Sequence, residues 1–105
     1  MTRGDIAKFI STETIHRIDY SKFDAIVKSI YGHDFDFAAD QECSNDSSHS
    51  FVVRKGELDR YSWYRKDLDG FKATGEGSSM TPGLLYDLCD RDLIPEGNYI
   101  IDVSW

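Results

Sequence analysis

Cysteine is nearly absent from this 105-residue chain: Cys43 and Cys89 lie far apart and form no CxxC pair. With so few cysteines, no disulfide framework can be read from the spacing. Long apolar runs are missing too, so no segment is expected to span a bilayer. The first residues, MTRGDIAKFIS, carry Asp5 and no apolar h-region, so no signal peptide is expected. Together these absences predict a cytosolic, reduced chain. Internal repeats and low-complexity tracts are also lacking, and the length predicts one domain, residues 1–105. A domain of this size buries roughly 60–65% of its unfolded surface, enough to fold alone with little margin. The Arg3-Gly4-Asp5 triplet is short enough to arise by chance and is set aside.

The motifs of common chemistry are missing as well. The stretch DFDFAADQE has no glycine and places phenylalanines where an EF-hand needs ligands. His33, Asp36 and Asp40 could supply transition-metal ligands, but in an extended segment His33 and Asp36 point to opposite faces. Cys43, with His49 and His33 as candidate bases, is the nearest approach to a nucleophilic pair, whereas Cys89 falls on an apolar helical arc. His16, His33 and His49 make no HxH or HExxH pattern. There is no GxSxG, and GEGSS lacks the lysine of a phosphate loop. The expectation is a protein that is not an enzyme, with no cofactor, no metal and no small-molecule ligand.

Positive charge is scarce in particular places. The net charge is −7, and the run from His33 to Ser50, HDFDFAADQECSNDSSHS, contains five carboxylates and no lysine or arginine. Residues 1–30 carry +1, 31–50 carry −5, 51–72 carry +2 and 73–105 carry −5. Two acidic zones thus bracket a weakly basic middle. Direct nucleic-acid binding is disfavoured, since phosphates need clustered Lys and Arg, and so is anionic lipid. A basic protein surface is the natural complement.

The patterning predicts a first helix from Thr2, boxed by Asp5, with Ile6, Phe9 and Ile10 on one stripe, fading over residues 11–14. A second helix starts at Ser21, boxed by Asp24, buries Phe23, Ile26, Val27, Ile30 and Tyr31, and stops at Gly32. Phe35 and Phe37 alternate with Asp34 and Asp36, the signature of a short strand. Residues 41–50 read as a loop. FVVRKGELDRYSWYRK reads as a hairpin: Phe51 to Arg54, a turn at Gly56, then a strand from Leu58 to Arg65. Asp69-Gly70 signals a second hairpin turn before the strand FKATG. Tyr61, Trp63 and Tyr64, mixed with Arg60, Arg65 and Lys66, suit single-stranded nucleic acid, but alternation favours Tyr61 and Trp63 as core. After the flexible link GEGSSM, Thr81-Pro82 starts a third helix with Leu84, Leu85, Leu88 and Cys89 on one arc and Asp87 and Asp90 on the opposite one. NYIIDVSW is a strand with Tyr99, Ile101, Val103 and Trp105 on one face. The expected fold is α+β in two layers: a mostly antiparallel sheet of four to five strands with about three helices on one face.

On this reading Asp34 and Asp36 form a row of like charges about 6.5–6.8 Å apart along a strand, extended by Asp40, Glu42 and Asp46. A second patch comprises Asp87, Asp90, Asp92 and Glu96, with Arg91 partly offsetting Asp87. A duplex presents roughly one charge per 1.7 Å of axis, so spaced carboxylates suit a Lys/Arg groove built for phosphates. In length, charge and the acidic runs HDFDFAADQE and YDLCDRDLIPE, the chain resembles small anti-defence proteins of phages and mobile elements, the anti-CRISPR and anti-restriction DNA mimics. Bacterial immunity proteins against nuclease toxins share that format. The resemblance implies an inhibitor whose partner is a basic nucleic-acid-binding protein or complex. A contrasting expectation is an assembly module of a phage that binds through exposed aromatics such as Tyr64 and Phe71.

Overall fold

The computed structural model describes residues 2–7 and 15–104. In chain order it has α1 (Arg3–Ala7), β1 (Ile15–Asp19), α2 (Tyr20–Tyr31), α3 (Phe37–Asp40), β2 (Ser47–Val53), a 3-10 turn (Glu57–Asp59), α4 (Ser62–Thr74), α5 (Thr81–Asp90) and β3 (Gly97–Val103). The sheet has three strands in the order β1-β3-β2. β1 runs parallel to β3 and β2 antiparallel to it, with Ile18 and His49 both opposite Ile101. The class is α+β, as expected, but among the described residues the sheet is mixed and smaller than the expected four to five antiparallel strands. Those residues also form five helices where about three were expected, because α3 and α4 form where strands were read.

The last strand forms where the alternation places it. Tyr99, Ile101 and Val103 are buried, while Asn98 is exposed and Ile100 and Asp102 are half-buried. One sheet face therefore meets the core, each large side chain there stabilising the fold by roughly 1.5–3 kcal/mol. α2 buries Phe23, Ile26 and Val27, and the chain leaves it at Gly32 in the left-handed conformation, φ 77°. Its cap is Asp19, whose carboxylate accepts from the Ser21 N–H at 3.0 Å. α5 starts at Thr81-Pro82 and buries Leu84, Leu85, Leu88 and Cys89. Thr2 and Asp5 form the expected reciprocal box, Thr2 N–H to Asp5 at 3.1 Å and Asp5 N–H to Thr2 Oγ1 at 3.3 Å. Phe9, Ile10, the end of the first helix and Trp105 lie outside the described residues.

Three segments depart from the expectation, each for a physical reason. The expected strand at 34–37 has no ladder partner; the chain is irregular to Asp36 and then forms the single turn of α3. Its amides are met by carboxylates instead: the Phe37 N–H donates to Asp24 at 2.9 Å and the Ala39 N–H to Asp36 at 3.2 Å. Phe35 and Phe37 both set an edge against the Phe23 ring, each at 5.8 Å, so their spacing reflects one shared contact. The expected hairpin from Phe51 to Arg65 is also replaced. β2 begins earlier, at Ser47, and the chain after it forms the 3-10 turn and α4. Leu68 and Phe71 are buried and Tyr64 half-buried, an i, i+4, i+7 face that defines a helix. Tyr61 and Trp63, expected in the core, are 37% and 53% exposed. Lastly, β1 is a strand that no pattern announced.

Gly70, expected in a hairpin turn, sits inside α4, whereas Gly75 ends that helix at φ 77°. A Cβ on Gly70 meets nothing within 4 Å, but one on Gly75 falls 2.8 Å from His33 Nδ1. Gly70→Ala is therefore expected to stabilise the protein by about 0.5–1 kcal/mol. Gly75→Ala is expected to destabilise it by more than about 1 kcal/mol. Urea unfolding of both variants checks this; destabilisation by Gly70→Ala would restore the hairpin.

Candidate functional site

The first acidic zone becomes one wall of a cleft. Asp34, Asp36, Asp40 and Glu42 line an open cavity of about 460 Å³, with Phe35 and Phe71 as its apolar part and the 75–79 loop opposite. Among the described residues no lysine or arginine lines it. Phe71 itself is 1% exposed, so it cannot serve as the exposed aromatic contact expected of it. Asp46, the fifth member of the run, is exposed but does not line the cavity.

These four acids divide by what they already hold. Asp40 reaches the start of α5, 41 residues on: it accepts from the Met80 N–H at 2.7 Å, the Thr81 N–H at 3.0 Å and the Thr81 hydroxyl at 2.7 Å. Thr81 is fully buried, and α5 receives no cap from its own preceding residue, so Asp40 meets donors that the helix leaves open. A carboxylate there also sits favourably at the positive end of the helix dipole. Asp36 caps α3. Asp34 is exposed and pairs with Lys28 at 2.8 Å, which lowers its pKa from the ordinary carboxylate range. Among the described residues the Glu42 and Asp46 side chains have no hydrogen-bond or ion-pair partner, and both residues have left-handed backbones, φ 51° and 54°.

Beneath this group lies Asp24, which holds the Phe37 N–H. Burial pushes its pKa up to about 6, opposed by the bond from that amide and reinforced by the nearby charges of Asp36, Asp19 and Asp40. The sequence offered Asp24 only as the box partner of Ser21; Asp19 caps that helix instead, and Asp24 holds the Phe37 amide.

The second zone does not join the first. Asp40 marks the start of α5, and about 14 Å of helical rise separates Thr81 from Asp90. Asp87, expected on an exposed arc, is only 5% exposed; it accepts from Tyr31 Oη at 2.6 Å and lies 3.5 Å from Arg91. Asp90 accepts from the Gly56 N–H at 3.0 Å and Glu96 from the Lys55 N–H at 3.2 Å. Asp92 pairs with Lys55 Nζ. This zone anchors the turn after β2.

Among the described residues no side-chain hydrogen bond joins the candidate nucleophile Cys43 to His33 or His49. His33 Nε2 donates to the Lys72 carbonyl at 2.9 Å near the end of α4, and His49 lies 2.8 Å from the Ser47 hydroxyl. Cys43 is half-buried, and desolvation raises its pKa. Among the described residues no group of three or more His, Cys, Asp or Glu side chains is placed to hold a metal ion. Nor is any helix among them long and apolar enough to cross a membrane. Comparison with known proteins gives no match: no family model, no curated protein and no solved structure is similar to this chain.

Two predictions follow from the split among the acids. Asp40→Ala is expected to cost about 2 kcal/mol, the loss of a helix cap plus its charge, while Asp34→Ala leaves the thermal midpoint unchanged. For Asp24 the folded pKa lies above the free value, so its contribution to stability is present below about pH 4 and lost as pH rises through 6. Asp24→Asn keeps the acceptor for Phe37 and removes the charge. Half-exposure discounts the gain to about 1 kcal/mol at pH 7.5, vanishing near pH 4. A gain that is the same at both pH values would contradict this account.

Proposed function

We propose that this protein is a cytosolic, non-enzymatic inhibitor that binds a basic nucleic-acid-binding protein or complex through its acidic face. The observation that carries the reading is the cleft: four carboxylates, no basic side chain among the described residues that line it, and apolar side chains between them. The backbone donors on Asp36 and Asp40 orient those carboxylates without removing their charge, so the cleft keeps a negative potential that steers Lys and Arg side chains toward it. Asp34, Glu42 and Asp46 supply the adaptable charge around it. The exposed Lys28–Asp34 pair contributes little to folding and is readily exchanged for a partner's cation.

The strand-borne row of charges is not what supports this, because Asp34 to Asp36 is not a strand. The resemblance to duplex DNA is therefore one of potential, concentrated in a cleft. The same face suits a DNA-binding groove, as in a CRISPR effector or restriction enzyme, and the surface of a nuclease toxin. Phage origin and anti-defence action are the setting in which such an inhibitor works, with the host cytoplasm as its compartment.

A tagged pull-down from bacterial lysate at about 50 and 500 mM salt tests the reading. The expected partner is basic, is released at the higher salt and is displaced by duplex DNA if its groove is the target. Asp34→Lys/Glu42→Lys is expected to lower its affinity at least about tenfold, a change of about 1.4 kcal/mol. The equal charge change Asp92→Lys/Glu96→Lys should have a much smaller effect. Equal losses would reduce the cleft to generic net charge, and capture that ignores salt would overturn the proposal.

A further inference from the structure

The sequence placed Tyr61 and Trp63 in the core, and the structure puts them outside. Trp63 stacks on Tyr61 with ring centroids 4.5 Å apart and planes 16° from parallel, at the start of α4. Beside them a second cavity of about 240 Å³ is walled by Trp63 and Tyr64, with Met80, Pro82 and Gly83 below and Asp67 at its rim. Tyr64 is braced edge-on by Tyr86 at 5.4 Å. Both rings are thus held before any ligand arrives, which limits the ordering that binding must impose. Ser78 and Ser79 line this cavity and also the acidic cleft.

We infer that the two cavities form one groove, running from the carboxylates over Ser78 and Ser79 onto Trp63, for a partner segment with a basic side chain close to an aromatic or aliphatic anchor. This rests on the reading of the cleft as a receptor for basic side chains. Charge selects the occupant. Arg60 and Arg65 are answered by Glu57 and Asp59, and Lys66 lines a neighbouring cavity with Asp67 and Glu76 and neither half of the groove. Asp67 and the four cleft acids then favour an apolar anchor flanked by cations. An arginine also interacts well with an indole face. Single-stranded nucleic acid would stack on the same rings, but its phosphates meet carboxylates on the adjoining wall.

Calorimetric titration with three synthetic peptides tests this: one alternating Arg and Phe, one with Phe replaced by Gly, and one with Arg replaced by Gln. The Arg–Phe peptide is expected to bind about tenfold or more tightly than Arg–Gly, as burial of an aromatic side chain provides. Trp63→Ala, at an exposed position, should erase that advantage, and Asp34→Asn/Glu42→Gln should weaken both Arg peptides. An advantage that survives Trp63→Ala overturns the groove and leaves the cleft standing, whereas a Gln–Phe peptide that binds as well as Arg–Phe overturns both. Arg peptides indifferent to Asp34→Asn/Glu42→Gln overturn the cleft reading, and failure of all three to bind overturns both. Binding of a dT12 oligonucleotide that Trp63→Ala removes would assign the platform to nucleic acid instead.

Discussion

The structure depends on carboxylates that accept hydrogen bonds from backbone N–H groups. Every helix begins with amides that have no partner within the helix, and here side chains remote in sequence meet several of them. Asp40 gathers the amides at Met80 and Thr81, Asp24 holds Phe37, and Asp36 holds Ala39. At the other end of α5, Asp90 and Glu96 hold Gly56 and Lys55. An acidic run without lysine or arginine is therefore not left uncompensated. Much of its compensation is partial positive charge on amides, which no count of basic residues reveals.

That arrangement links stability to the site. Asp40 joins α3 to α5, and the same bond sets one side of the cleft. Because the amides fix Asp36 and Asp40, their charges stay in place and their desolvation is partly met. Asp34 and Glu42 have no such duty and are the members of the group that can change partner at little cost to the fold. Asp24 is where the balance is tightest: its carboxylate is needed as an acceptor yet is half-buried among three other acids. The free protein carries like charges in close company, a repulsion that the proposed basic partner would relieve.

How much of this the sequence reveals depends on the range of each interaction. β3, α2 with its Gly32 stop, and the Thr81-Pro82 start of α5 were legible, since alternation, capping and proline placement are local. β1 was not: it buries only Ile18, and parallel pairing brings no hairpin turn to mark it. α4 was misread because Tyr61 and Trp63 alternate like a strand, while the Tyr64, Leu68, Phe71 face that decides the matter begins one residue later. The acidity of the cleft was visible as missing counter-charge. The roles of Asp24, Asp40 and Asp87 were not, because each depends on a partner 13 to 56 residues away.

Amide hydrogen exchange followed by NMR addresses the central claim directly. If carboxylates hold these helix starts, the amides of Phe37, Ala39, Met80 and Thr81 are protected although none has an intrahelical partner, and the amides of Met80 and Thr81 lose protection together in Asp40→Ala. Exchange at all four as fast as at the exposed Asp34 amide would contradict the account.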